Sequence, residues 1–263
     1  GDRSAAERIL KALASDPAND AALYYLGVMN LSDGDLSSAQ ENLRKAVQAD
    51  PHNYWYRDRL ALAYSMAGDD DMTIATYEEL LKDFPDKNEI YFNLVNLYLK
   101  QNKMDKALEA MDQIETIFGK SESVTSTRYD ILLRQNKPEE ALKVLTDFND
   151  EYSSPSILSR LGDHSMAEYK DSLAMEYYKE AIDLQSDYAP ALLGLAEVYR
   201  TRREYPGFFS TLGKFVSNED IMPQFKSDYL TRLLSYASQE SGGMFMQRFQ
   251  RAWRSFCPLR VRP

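Results

Sequence analysis

The sequence predicts an all-α protein built from about six stacked helix pairs, with partial pairs at both ends. Three observations carry that expectation. Apolar and small residues recur along the chain at a step of 34 positions. Within each step they fall every three or four residues, which puts them on one face of a helix. Short turns containing Gly, Asp or Asn separate the two runs of each pair.

The stretch from Asp20 to Pro51 shows the pattern most fully. Leu23 and Leu26 mark a first helix, and Leu36, Ala39, Leu43 and Ala46 mark a second. Between them, Ser32-Asp33-Gly34-Asp35 supplies a residue free to take positive φ and an Asp placed to cap the second helix. Gly27 and Ala39 are small where two helix axes come close. Pro51 ends the second helix because it lacks an N–H and biases Asp50 away from helical geometry. The offsets of Leu23, Leu26-Gly27, Ala39, Leu43, Ala46 and Pro51 resemble those of the tetratricopeptide repeat (TPR). That resemblance implies a right-handed α-α superhelix, or solenoid, whose first helices line a concave face open to an extended peptide or a partner helix.

Taken in order, the chain divides into a half repeat at 1–19 and repeats at about 20–53, 54–87, 88–121, 122–154, 155–188 and 189–220. Ala5, Ile9, Ala12 and Pro17 match the second-helix offsets, so the chain opens inside a repeat and more is expected upstream. Gly1 is not preceded by a methionine, which points to a removed leader or an expression remnant. The fourth repeat is irregular: Arg128 and Tyr129 stand where Leu26-Gly27 stood, and Ser123, Thr125, Ser126 and Thr127 favour helix poorly. From Ala141 to Ala174 the step is 33, and this neighbourhood reads as a soft joint between two rigid blocks. In the sixth repeat Phe208 replaces a small residue and Pro206-Gly207 enlarges the turn. A capping helix is expected over 221–237.

Residues 238–263 form an irregular basic tail, with Arg248, Arg251, Arg254, Arg260 and Arg262 and no acid after Glu240. It reads as a basic amphipathic helix over Met244 to Phe256, as a continuing second helix, or, the reading preferred, as a foreign sequence after Phe249. The last would follow from a truncation or a shifted reading frame.

Composition narrows the function. The net charge of -10 would repel a phosphate backbone, so nucleic acid is not expected as a partner. Cys257 is the only cysteine, which excludes an internal disulfide and a thiolate metal cluster. No apolar run approaches the roughly 18 residues of a spanning helix, so a soluble chain is expected. Cytoplasmic and exported locations both fit, and the oligomeric state is not specified by the sequence. His52 and His164 belong to no metal-binding or catalytic spacing, and no nucleotide-binding or nucleophile-elbow motif is present. Asp69-Asp70-Asp71 lacks the glycine and distal glutamate of a calcium loop, and helix capping explains it better. No catalytic residue, cofactor or metal is therefore expected, and the chain reads as a non-enzyme.

The expected activity is that of a protein-protein interaction scaffold or adaptor. By offset within the family resemblance, the groove would be lined by Tyr24, Val28, Trp55, Asp58, Leu62, Phe92 and Asn96 in the N-terminal half. Asp130, Arg134, Asp163, Glu197 and Arg200 would line it in the C-terminal half. Leu31, Leu99, Ser126 and Ser159 fall on the same face. Family members that bind chaperone tails hold a terminal carboxylate with Lys, Asn and Arg; at those places this chain has Tyr24, Val28, Arg59, Glu89 and Asn93. That clamp is absent, although Arg134 or Arg160 could meet a carboxylate in another arrangement. The alternatives are a self-association or docking module of a larger protein, or the substrate-recruiting arm of an enzyme whose catalytic domain lies outside this chain.

Overall fold

The computed structural model describes residues 3–16 and 18–239, and all regular structure among them is α-helical. The expectations for Gly1, for Pro17, and for the tail beyond Gln239 with its break after Phe249 lie outside the described residues. The chain divides into two compact units, Gly1–Val124 and Thr125–Pro263, with the division falling inside one helix.

The first unit contains α1 (Arg3–Leu13), α2 (Asp20–Asp33), α3 (Leu36–Ala49), α4 (Tyr54–Met66), α5 (Asp70–Asp83), α6 (Asn88–Lys100) and α7 (Met104–Phe118). Each helix packs on the next, and α2 also touches α4, so first helices of successive pairs are neighbours. The core position of the second helix is occupied by Ala39, Thr73 and Ala107, each 1% exposed or less. Around it, Leu31, Leu43, Leu60, Ala63 and Tyr64 close one cluster between α2, α3 and α4. Gly27 is required here: a Cβ on it would lie 2.4 Å from Leu43 Cγ. Arg57 takes the place that Leu23 has one repeat earlier, and it is buried at 8% exposure. Its charge is met by Asp83 and by the Glu79 carbonyl at 3.2 Å, with its guanidinium 5.6 Å from the Phe84 ring centre.

The second unit holds most of α8 (Glu122–Arg134), then α9 (Pro138–Glu151), α10 (Pro155–Ala167), α11 (Asp171–Leu184), α12 (Ala189–Thr201), α13 (Tyr205–Ser217) and α14 (Pro223–Gln239). From α9 to α13 each helix packs on the next, and α10 and α12 are again neighbouring first helices. Ala141, Ala174 and Phe208 hold the small-residue position with no exposed surface. Leu233 of α14 is buried against Leu192, Phe208, Leu212 and Phe215.

Two local expectations are corrected. The Ser/Thr-rich run does not break α8, which is helical from Glu122 to Arg134. Val124, Thr125, Tyr129, Ile131 and Leu132 are buried, and burial outweighs the weak propensity of their neighbours. Pro206-Gly207 does not enlarge a turn but lies in the first turn of α13, where proline costs no hydrogen bond. Gly207 is small because a Cβ there would sit 2.9 Å from the Tyr199 ring.

The turn inside each pair repeats one backbone conformation. Gly34 (φ 75°), Gly68 (74°), Asn102 (57°), Asn136 (59°), Tyr169 (60°) and Arg203 (60°) occupy equivalent places and all are left-handed. Glycine and asparagine suit this; Tyr169 and Arg203 do not. Tyr169 is 92% exposed, so removing its side chain forfeits no packing. Tyr169→Gly and Arg203→Gly are each expected to raise stability by about 0.5–1 kcal/mol, the left-handed penalty less the entropic cost of glycine. Gly34→Ala should lower it by about 1 kcal/mol. Urea midpoints of the three variants check both signs.

Candidate partner-binding face

In the first unit the candidate residues sit on α2, α4 and α6. Trp55 and Tyr25 are 58% and 56% exposed, unusual for side chains of this size. Tyr24, Val28, Leu62 and Phe92 are half-buried and Asn96 is exposed, whereas Leu31 faces the core and leaves the proposed face. The aromatic rings are held by one another: Tyr24 lies 5.0 Å from Tyr56 and 5.3 Å from Tyr25, and Tyr54 lies 5.2 Å from Trp55 and 5.4 Å from Phe84. Tyr56 is fixed from below by a hydrogen bond of its hydroxyl to Asp20 at 3.2 Å. Burial, then the Asp20 charge, push that hydroxyl up to about 12.

Asp58 stands apart from the other carboxylates of this face. Its side chain is 24% exposed, and its only ion-pair partner among the described residues is the adjacent Arg59 at 3.8 Å, beyond hydrogen-bond reach. Burial raises its carboxyl above the ordinary range; Arg59 opposes that shift and Glu89 adds to it. Burial, then Asp58 and Glu89, raise the Tyr54 hydroxyl, and burial, then Asp58, raise that of Tyr77.

The charged candidates of the second unit are differently placed. Asp130 accepts two hydrogen bonds from Arg160 at 2.8 and 3.4 Å, and Asp163 accepts one from the Tyr178 hydroxyl at 2.6 Å. Glu197 is shared by Arg200 at 2.7 Å and the Tyr229 hydroxyl at 2.9 Å. Arg134 is exposed, while Ser159 is buried and does not reach the face. Arg160 is thus engaged with Asp130 rather than open to an incoming carboxylate. These side chains fasten helices to one another, and each exposed pair contributes little energy by itself.

Family models for the tetratricopeptide repeat match residues 2–54 and 73–122, and a second such model matches 58–87. The chain belongs to the tetratricopeptide-repeat superfamily. No curated protein sequence matches it. Among solved structures, the Naa15/Naa10 assembly bound to HypK-THB is 12% identical with a TM-score of 0.55, over 97% of this chain and 44% of that one. This chain therefore spans less than half of that relative, and the likeness is one of fold. The pilF protein of Pseudomonas aeruginosa is 17% identical, with a TM-score of 0.48 over 81% of this chain and 97% of that one. A tetratricopeptide repeat protein of Parabacteroides merdae is 18% identical, with a TM-score of 0.46 over 86% and 90%.

Both histidines of this TPR chain have neighbours within the fold. His52 is exposed, with Nδ1 3.2 Å from Asp83. His164 is buried, its Nδ1 3.1 Å from the Tyr129 hydroxyl, and the two lie 35 positions apart on successive first helices. Asp70 pairs with Lys100 at 2.7 Å and Asp71 accepts from Gln101 at 2.9 Å, while Asp69 caps α5 through Met72 N at 3.1 Å. No group of His, Cys, Asp or Glu among the described residues could hold a metal ion. No described helix is long and apolar enough to cross a membrane. Offset reasoning picked out Asp58 but left Glu89 out of the groove. The signal lay in the sequence, since Glu89 follows Trp55 by 34 positions and so shares its face.

Proposed function

We propose that this chain is a non-enzymatic adaptor that holds a segment of a partner protein against the first helices α2, α4 and α6. Tetratricopeptide repeats support a protein-protein interaction module, and the observation that favours this face is Trp55. A tryptophan braced by Tyr54 at 5.2 Å yet 58% exposed is a preformed anchor whose burial would be gained only on binding. Tyr24, Val28, Leu62 and Phe92 surround it with apolar surface, and Asn96 and Asp58 offer polar registration. Asp130, Arg134, Asp163, Glu197 and Arg200 are proposed to line the corresponding face of the second unit, adding specificity more than affinity because most already have internal partners.

Selection of peptides from a displayed random library on the full chain, followed by calorimetric titration, tests the reading. Trp55→Ala alone should weaken binding about 30-fold, a typical aromatic hot-spot loss. Tyr24→Ala, Trp55→Ala and Phe92→Ala together should abolish it. Unchanged affinity in the triple variant would place the site elsewhere.

A further inference from the structure

We propose that the segment bound by the first unit is cationic, an apolar stretch carrying Lys or Arg, with one cation seated between Asp58 and Glu89. The inference rests on the reading above that α2, α4 and α6 face the partner. Three observations lead to it.

The first is the distribution of charge. Residues 1–124 contain 22 Asp and Glu against 13 Lys and Arg, a net of -9, so nearly all of the chain's -10 lies in the first unit. A field of one sign concentrated on one unit draws oppositely charged partners and speeds their encounter.

The second is the state of Asp58. Its carboxylate is three-quarters removed from water and accepts no hydrogen bond among the described residues; the neighbouring Arg59 reaches only 3.8 Å. The acids of the second unit's face are, by contrast, satisfied by Arg160, Tyr178, Arg200 and Tyr229. A half-desolvated acid without a hydrogen-bond donor is stabilised by a donor that arrives with a ligand, and a cation supplies both the proton and the charge.

The third is what surrounds it. Glu89, on α6, stands one repeat after Trp55, and Asp58 is one helical turn beyond Trp55 on α4, so the two carboxylates share the face that carries Trp55 and would share a cation placed there; the Tyr54 and Trp55 rings meet edge to face at 5.2 Å on the same turn of α4. Lys87 already lies 5.3 Å from the Tyr54 ring centre, which shows that this ring accepts an ammonium group. Glu89 also disfavours the opposite chemistry: a peptide carboxylate entering here would meet two acids, and the neighbouring cations Arg59 and Lys87 already face Asp58 and the Tyr54 ring. The aromatic surface then takes the apolar side chains that flank the basic one.

A random dodecapeptide library displayed on phage and selected on the full chain provides the probe, and the winning sequence is made as a labelled synthetic peptide. The expected consensus places Lys or Arg beside aromatic or large aliphatic residues. Fluorescence anisotropy should show its affinity falling at least five-fold between 50 and 300 mM salt, a range chosen to span strong and weak screening at about 14 and 6 Å. Asp58→Asn with Glu89→Gln should weaken it at least ten-fold, and the exposed Glu89→Lys alone should do at least as much. Helix content and melting temperature of each variant establish that the fold is kept. A neutral or acidic consensus that is lost in the Tyr24, Trp55 and Phe92 triple variant but indifferent to Asp58 and Glu89 would overturn the cationic inference and leave the adaptor reading standing. No consensus, or one that the triple variant still binds, would remove the reading and the inference together.

Discussion

Raising the pH above 10 is expected to unfold the chain over a narrow interval. Tyr56, Tyr98, Tyr178 and Tyr229 are shielded from water, and each donates its hydroxyl proton to a carboxylate: Asp20 at 3.2 Å, Glu78 at 2.6 Å, Asp163 at 2.6 Å and Glu197 at 2.9 Å. Burial first, then those carboxylates, hold all four hydroxyls above the ordinary tyrosine range. A tyrosinate in any of these places would be a buried anion facing another anion. The unfolded chain loses the same protons near pH 10, so above that value it binds fewer protons than the folded chain and stability falls as pH rises. The tyrosine contribution is complete below pH 10 and is lost on the way up through the folded values. Each group removes about 1.4 kcal/mol per pH unit, so the two in each unit remove about 3 kcal/mol per pH unit. Over about two pH units that reaches the stability of an ordinary domain. Circular dichroism followed against pH should therefore show helix lost at about pH 10.5–12. Helix content unchanged up to pH 12 would show that these hydroxyls are not coupled to folding. Tyr98→Phe and Tyr229→Phe should move the transition upward.

The largest single-residue effect is expected at Tyr178. Its ring, 1% exposed, lies in a notch between Gly162 of α10 and Gly194 of α12, where an added Cβ would come within 2.5 and 2.3 Å of ring carbons. It is therefore the side chain that joins two successive first helices to the second helix between them. Tyr178→Ala leaves a cavity that two glycines cannot fill, at a cost of about 4 kcal/mol. Tyr178→Phe keeps the ring and loses one bond to an exposed carboxylate, at about 1 kcal/mol. Gly162→Ala and Gly194→Ala decide between two effects. Helix propensity favours alanine by about 1 kcal/mol, and overpacking opposes it by about 1–3 kcal/mol. The ring has no free side to move to, so both variants should be destabilised. Equilibrium unfolding in urea measures all four, and a neutral Gly194→Ala would mean that the notch relaxes.

The helical-repeat fold and the superfamily were legible because each core position is dictated by a neighbour one helix away. Gly27 is small because Leu43 occupies its Cβ position, and such a constraint leaves its mark in one short window. The same logic located the turn, since Gly34 adopts positive φ and Asp35 accepts from Ser38 N at 3.1 Å. What escaped depends on pairs of distant residues. Local propensity misjudged α8, where Tyr129 is held by His164 on the next first helix. It gave no sign that Tyr169 and Arg203 carry the turn conformation that Gly34 and Gly68 carry elsewhere, although counting 34 or 33 positions forward reaches both. On the candidate face, offsets named Trp55 and Asp58 but could not distinguish Asp58, which lacks a hydrogen-bond donor, from Asp163, whose donor is a tyrosine fifteen residues away.

Trp55 offers the most direct test of the partner-binding face. The chain has two tryptophans, so Trp253→Phe leaves Trp55 as the sole indole reporter. Titrating this variant with the selected basic peptide should shift Trp55 emission to shorter wavelength, along the same saturation curve as binding measured by calorimetry. Heat of binding at full affinity with Trp55 emission unmoved would show that the partner docks on another surface, and the account of α2, α4 and α6 would be wrong.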